Sequence, residues 1–504
     1  MISTAAEHAG LWLRSLLPLT ADLTSDSRQV AQGDVFIAYP GQKFDGRHFI
    51  GAALASGAGA VLFDPRDGFK PDPGYTEVPM LAVLDLKRVA GEIAAFWYGE
   101  PSKRLYSIGI TGTSGKSTSA LWLAQLFDAL GHRSALIGTL GAGLLGQLAD
   151  TGHTTPDPVH LERLLAELVR RGANVMAMEV TSVGLVEGRV NGLHFDVVLF
   201  TNLSRDHLDY HGNMQAYRDA KASLFGWAGL LAGVINLDDE ASSAMRSKMS
   251  SEVQAITFSA SGNTDADLYA SAIEPLVHST RVLLGGRFGT CHIEAPIVGR
   301  FNVDNLLGVL AVALASGVGF EQIIAALHHL RAAPGRLEPV LSDSSEPLPG
   351  PLTLIDYAHK PDALEKALQA CRPLADQRGG RLFAMFGCGG DRDRGKRPIM
   401  GEIGARLADR VILTSDNPRS EVAELILDEI YQGVPVELRA KVERLSDRRA
   451  AIEAILRDAT DQDVVLIAGK GHEEYQDIAG VKLPFSDIGE ARLALAARSQ
   501  VSSC

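Results

Sequence analysis

Short apolar runs that empty into polar, glycine-containing loops recur along this chain, with longer helical stretches between several of them. From Leu105 the runs "LYSIGIT", "NVMAMEV" and "FDVVLFT" read as strands, and "TSALWLAQLFDALG" and "PVHLERLLAELVRRG" as helices. Such alternation predicts a mainly parallel sheet with helices on its faces. A shorter α/β block precedes it: "DVFIAYPG", a Gly/Ala-rich helix "IGAALASGAGA", then "AVLFD" and "MLAVLD", ending at the polar, proline-containing joint "WYGEPSKR". Helices "NVDNLLGVLAVALASG" and around "EQIIAALHHLRAA" close the central block, and "APGRLEPV" reads as a linker. Beyond it "LTLID", "RLFAMFG", "RVILTS" and "DVVLIAG" each run into a loop dense in Asp, His, Arg, Asn or Lys. Ligands gather at the carboxyl ends of strands in open α/β sheets, so these loops imply one composite site.

At 504 residues the chain is too long for one core, and a prior of about 150 residues per domain gives three. The joints place them at residues 1–100, 101–334 and 335–504. The net charge of -13 excludes a broad nucleic-acid footprint. An anionic substrate would have to meet a local cluster, such as Arg392, Arg394, Lys396 and Arg397. Cys291, Cys371, Cys388 and Cys504 lack metal-ligand or disulfide spacing, which points to a reducing compartment, the cytoplasm. No signal sequence or apolar stretch of membrane-spanning length is evident, so no membrane partner is expected.

The segment "IGITGTSGKSTSA" follows a strand and enters a helix, and Gly112, Thr113, Ser114, Gly115, Lys116, Ser117 and Thr118 make a phosphate cradle. Small residues let backbone N–H groups approach phosphates, the lysine neutralises charge, and the Ser117 hydroxyl can hold Mg²⁺. Ile110 stands where the strict Walker spacing has glycine, so the loop is the shorter Gly-x-x-Gly-Lys-Ser-Thr form. Glu179 ends a strand and reads either as an oxygen ligand for the nucleotide's Mg²⁺ or as a solvated strand terminus. "TNLSRDHLDYHG" offers Asp206, His207, Asp209 and His211 without zinc spacing, for Mg²⁺ chemistry, substrate contact or a merely polar loop. By spacing alone Lys221 is a solvated helix lysine. In "SDNPRSE", Pro418 fixes a bend that presents Asp416, Asn417 and Arg419, as a turn or as a binding site.

In order along the chain, "SDSR", "GTSGKST", "TTPD", "MEVTS", "NLSRDHLDYHG", "GRFNVDN", "PGRLE", "DYAHKPDAL", "GCGGDRDRGKRP", "SDNPR" and "GKGHEEYQ" resemble the motifs of the Mur ligases. These are ATP-dependent amide-bond ligases of bacterial cell-wall precursor synthesis. The resemblance implies a uridine-binding α/β domain, a central P-loop ATPase and a C-terminal Rossmann-like domain. It also implies an enzyme that joins meso-diaminopimelate to UDP-N-acetylmuramoyl-L-alanyl-D-glutamate through an acyl phosphate; a monomer is expected, though no motif bears on it. Lys116 would bind phosphates, Ser117 and Glu179 one Mg²⁺, and His207 a second, together with a carbamate on Lys221. Asn302, Asn305, Arg336, Asp356 and His359 would serve the nucleotide. Ser25, Ser27, Gln42, Lys43, Phe44, Thr154, Thr155, Thr181, Glu187 and Arg189 match the nucleotide-sugar positions, with Thr181 in place of serine and Glu187 in place of an amide. Arg392, Asp416, Asn417, Pro418, Arg419, Gly469 and Glu473 match the diaminopimelate site, with Asp416 assigned to the turn. An L-lysine-adding relative, a folylpolyglutamate synthetase-like ligase and a nucleotide-regulated binding module are the alternatives.

Overall fold

Strands covered on both faces must be apolar at nearly every position, and the runs above are of that kind. The computed structural model describes residues 2–41, 44–75, 77–276, 279–342 and 348–501. By its contacts the chain forms two units, residues 1–270, 284–290 and 304–329, and residues 271–283, 291–303 and 330–504.

In the first unit, Leu23–Thr24, Val35–Ala38, Ala60–Phe63 and Met80–Ala82 form a parallel sheet in chain order. Helices Thr4–Leu16 and Leu86–Tyr98 pack together over it, sharing a core of Ala6, Ala9, Leu13, Ala90, Ile93 and Trp97. Val159, on helix Pro158–Arg170, belongs to the same core. The approach is close: a methyl group at Gly91 would stand 1.9 Å from the Asn191 carbonyl oxygen. This packing brings the N-terminal block onto the larger sheet that follows.

In that sheet the parallel strands Gln254–Ser259, Ala232–Asn236, Val197–Phe200, Tyr106–Thr111, Val175–Glu179 and Ser134–Gly138 lie side by side in that order. Their carboxyl ends therefore share one edge, where Gly112, Thr139, Val180 and Thr201 begin the loops. Gly141–Leu144 and Gln147–Ala149 continue the sheet as antiparallel strands that the apolar pattern does not predict. Helix Lys116–Ala129 buries Leu121, Trp122, Leu123, Leu126 and Phe127, which anchors the phosphate loop at its N-terminus in the core.

The second unit has a sheet in the order Glu338–Pro339, Leu352–Asp356, Val464–Ala468, Leu382–Phe386, Arg410–Leu413, Val442–Arg444, parallel except for the first pair. The segment read as a linker thus supplies a short edge strand. The four strands that sequence inspection singled out are neighbours, so the loops beginning at Tyr357, Gly387, Thr414 and Gly469 lie along one edge.

Beneath two of those loops lies a fully buried ion pair. Arg448 donates from Nε to Asp487 Oδ1 at 2.7 Å and from Nη2 to Oδ2 at 2.6 Å, both side chains being 0% exposed. The same guanidinium reaches Ser415 O at 3.2 Å and Ala468 O at 3.0 Å, tying the two strand ends together. Truncating one partner of such a pair strands a buried charge. Asp487→Ala is therefore expected to destabilise this unit by about 3–5 kcal/mol, seen as an earlier urea transition; an unshifted midpoint would show the pair to be dispensable.

Candidate active site

The phosphate loop is folded around groups from distant loops. Gly112 adopts φ +153°, and a methyl there would meet Thr201 Oγ1 at 1.9 Å; Gly115 adopts φ +85°, and a methyl would meet Asn305 Oδ1 at 2.2 Å. Only glycine allows both approaches. Asn202 accepts from Thr113 N at 2.8 Å and from Ser114 N at 3.0 Å, fixing the loop's course. Helix Lys116–Ala129 carries no side-chain cap, which leaves its first amides for an anion. Lys116 Nζ donates to Gly112 O and Thr113 O, each at 2.9 Å, so its charge is held over the loop.

Lys221 differs most from what its spacing predicts. It is 2% exposed rather than solvated, donates to Gly112 O at 2.7 Å and lies 4.5 Å over the Tyr217 ring. Burial, followed by the nearby Lys116 charge, pushes its amine well below the usual lysine value. Tyr217, which sequence inspection passed over, shares a hydrogen bond of 3.1 Å with Thr113 Oγ1, and burial pushes its phenol up to about 12. His207, with φ +50°, packs edge-on against Tyr217 and is half exposed, with Asp206 at 3.6 Å. His211 pairs with Ser182 Oγ at 2.9 Å, and burial lowers its imidazole value.

Glu179 is 1% exposed, which rules out the solvated terminus. Its carboxylate accepts from Thr139 N at 2.7 Å and from Thr139 Oγ1 at 3.3 Å, and Gly138 leaves room for it. A buried carboxylate and the Ser117 hydroxyl at the helix start are hard oxygen donors that suit Mg²⁺ completed by phosphate and water. Among the described residues no cluster of three or more His, Cys, Asp or Glu could hold a metal without such outside ligands.

A second polar cluster joins the N-terminal block to the central sheet. Thr155 Oγ1 donates to Glu179 O at 3.0 Å and sits 3.1 Å from Thr181 Oγ1, which caps helix Ser182–Val186. Thr154 lies 3.1 Å from Thr139 through their hydroxyls. Arg189 donates to Thr155 O at 3.0 Å and to Glu187 Oε2 at 2.8 Å. Glu187 therefore acts on Arg189, holding the guanidinium in place. Tyr39 donates to Asp157 Oδ2 at 2.7 Å; burial, then the Asp157 charge, push its phenol well above its usual value, and Ser25 is hydrogen-bonded to it. Neither Tyr39 nor Asp157 was a candidate, since their contact spans 118 positions and leaves no local signal. Ser27 opens the short turn Ser27–Gln29, and Phe44 is 73% exposed. Gln42 and Lys43 lie outside the described residues.

In the second unit, Asp356 accepts from Leu337 N and Ala358 N, each at 2.8 Å, so its buried carboxylate also holds the chain at the "PGRLE" segment. Burial raises its pKa. Arg336 lies 5.0 Å over the Tyr357 ring. His359 pairs with Tyr357 O at 2.8 Å, and burial lowers its imidazole value. Asn302 donates to Val298 O at 2.8 Å.

The basic cluster expected to meet an anion is mostly committed to structure. Arg397 is 0% exposed and pairs with Glu421 and Glu429 at 2.8 Å, Arg394 also pairs with Glu429, and Lys396 donates to His359 O at 2.7 Å. Arg392 and Arg394 are exposed, and of these two only Arg392 makes no ion pair among the described residues. Around the "SDNPR" turn, Asn417 is 4% exposed; it donates to Glu473 Oε2 at 2.9 Å and accepts from Lys470 Nζ at 3.0 Å and Asp477 N at 2.9 Å. Arg419 follows Pro418 with φ +52°, a strained conformation for a bulky residue. Its backbone is held by Asp477 O and Ala479 N, and its Nη1 donates to Gly390 O at 2.8 Å. A methyl at Gly469 would lie 3.8 Å from the Asp416 carboxyl carbon.

A phosphate cradle with an adjoining buried lysine, and a separate polar cluster at the strand ends of the second unit, are the parts of a nucleotide-using enzyme. The chain belongs to the Mur ligase family: the Mur ligase family, catalytic domain matches residues 21–98, the Mur ligase middle domain residues 110–313, and the Mur ligase, glutamate ligase domain residues 335–471. It is 46% identical to a UDP-N-acetylmuramoyl-L-alanyl-D-glutamate--2,6-diaminopimelate ligase of Ralstonia nicotianae, covering 97% of this chain and 95% of that protein. A ligase of the same description from Chromobacterium violaceum is 47% identical, covering 94% of each chain. A solved structure of such a ligase is 35% identical with a TM-score of 0.70, covering 95% of both chains. Among the described residues no helix is long and apolar enough to cross a membrane.

Proposed function

We propose that this chain joins meso-diaminopimelate to UDP-N-acetylmuramoyl-L-alanyl-D-glutamate at the expense of ATP, as a monomer in the cytoplasm. Domains at 1–100, 101–334 and 335–504 would bind the nucleotide sugar, ATP and the amino acid in turn. The observation that carries the reading is the phosphate loop itself, with Lys221 buried against Gly112 O, in a chain matched from end to end by diaminopimelate ligases.

The D-glutamate side-chain carboxylate attacks the γ-phosphorus of ATP, ADP leaves, and an acyl phosphate forms. The neutral amine of the amino acid then adds to the acyl carbon, its nitrogen gives up one proton, and the tetrahedral intermediate collapses to the amide with loss of phosphate. Activation turns a poor electrophile into one with a good leaving group. Lys116 and the loop amides hold the phosphates, and Asn305 keeps the loop's shape through Gly115. Ser117 and Glu179 would hold a Mg²⁺, and His207 with a carbamylated Lys221 another; the ions supply positive charge against the phosphoryl oxygens. Ser25, Thr155, Thr181 and Arg189 would receive the nucleotide-sugar peptide, with Glu187 and Asp157 positioning Arg189 and Tyr39. Asn302, Arg336, Asp356 and His359 would serve the nucleotide. Arg392, Asn417, Arg419, Gly469 and Glu473 would receive the far end of the amino acid.

The test is a panel of amino acids with ATP and the UDP-muramoyl dipeptide, read as ADP and phosphate release. Release is expected only with the dipeptide and with meso-diaminopimelate. Release with L-lysine instead would make this the lysine-adding enzyme, and release without the dipeptide would favour a nucleotide switch.

A further inference from the structure

We infer that Lys470 is a positioning residue that sets the charge of the amino-acid recess and so biases it toward a zwitterionic substrate end. The inference rests on the reading of the "SDNPR" loop given above. Lys470 is fully buried, and its Nζ stands 3.0 Å from Asn417 Oδ1, 3.3 Å from Glu473 Oε2 and 3.7 Å from Asp416 Oδ1. Asn417 in turn donates to the same Glu473 oxygen at 2.9 Å. One ammonium thus holds together an amide and a carboxylate from two different strand-end loops. The Asp416 Oδ1 atom is buried and has no hydrogen bond, leaving the Lys470 charge as its nearest compensation.

Arg448 lies near Gly469 and Asp416, but Asp487 neutralises it. Among the groups in ion-pair reach of this ammonium, Asp416 and Glu473 against Lys470 leave one net negative charge, with Lys396 acting on Asp416 from farther off. The far end of diaminopimelate carries an ammonium and a carboxylate and is neutral overall, whereas that of lysine is a bare cation. A net charge of minus one accepts an ammonium without strongly repelling a neighbouring carboxylate that Arg419 and Arg392 can meet. Removing the Lys470 charge makes the recess more negative, which repels the carboxylate and attracts the bare cation.

The test is kcat/KM for meso-diaminopimelate and for L-lysine, measured on the full-length enzyme with ATP and dipeptide saturating. Lys470→Met is expected to lower kcat/KM for diaminopimelate about thirtyfold or more, with KM for ATP unmoved. The lysine-to-diaminopimelate ratio should rise about tenfold. Asp416→Asn removes a negative charge with little change of shape and should move the ratio the other way. It also keeps the inference testable if Lys470→Met does not fold. Equal losses for both amino acids in Lys470→Met, or a ratio that Asp416→Asn leaves unchanged, would overturn the inference. Wild-type enzyme that ignores diaminopimelate would instead overturn the reading beneath it.

Discussion

Lys221→Ala is expected to lose activity by about a hundredfold or more, with bicarbonate or a short carboxylate restoring part of it. A lysine that is 2% exposed, beside the Lys116 charge, is poorly solvated as an ammonium, and its pKa falls well below the usual value. The neutral amine is the form that attacks carbon dioxide: a nitrogen–carbon bond would form, one proton would be released from that nitrogen, and the neutral amine would become a carbamate anion. That anion can orient a metal ion that the ammonium would repel. Because the neutral fraction grows with pH, activity at limiting bicarbonate should rise as pH climbs through the lowered value. Stability should rise with it, since over that window the unfolded chain binds the proton more tightly than the folded one. Full activity of Lys221→Ala without rescue would remove the carbamate from the mechanism.

Arg419→Ala is expected to reduce kcat/KM for meso-diaminopimelate by about a hundredfold or more, while KM for ATP stays near wild type. Arg419 is held by Pro418 on one side, by Asp477 O and Ala479 N at its backbone, and by Gly390 O at one guanidinium nitrogen. The rest of the planar fork remains to take a carboxylate bidentately, and Arg419→Lys should therefore rescue poorly. Its charge also disfavours a bare ammonium. Wild-type enzyme that turned over lysine and diaminopimelate equally well would contradict this account of the loop.

Much of this was legible along the chain, for local reasons. Apolar runs such as "VMAMEV" and "LFAMFG" announce covered strands whatever they pair with, and the polar loops that follow them are marked by where those runs end. The phosphate loop needs only neighbouring residues to be recognised. Other elements were not legible. Gly141–Leu144 is glycine-rich and short, and helices Thr4–Leu16 and Leu86–Tyr98 mix small, polar and aromatic residues whose common face exists only once they pack together.

The amino-acid order settled residue types, the places where strands end and the turn chemistry, because backbone propensity and side-chain identity act over a few neighbours. Folding in three dimensions settled which charges lose water and which partners meet. It buried Lys221 and Glu179, engaged Arg397 and Arg394 with Glu421 and Glu429, and placed Tyr39 against Asp157. It also put Asn417 behind the "SDNPR" turn as the bridge between Lys470 and Glu473. Solvation and pairing energies sum over atoms brought together from far along the chain, and no local window contains them.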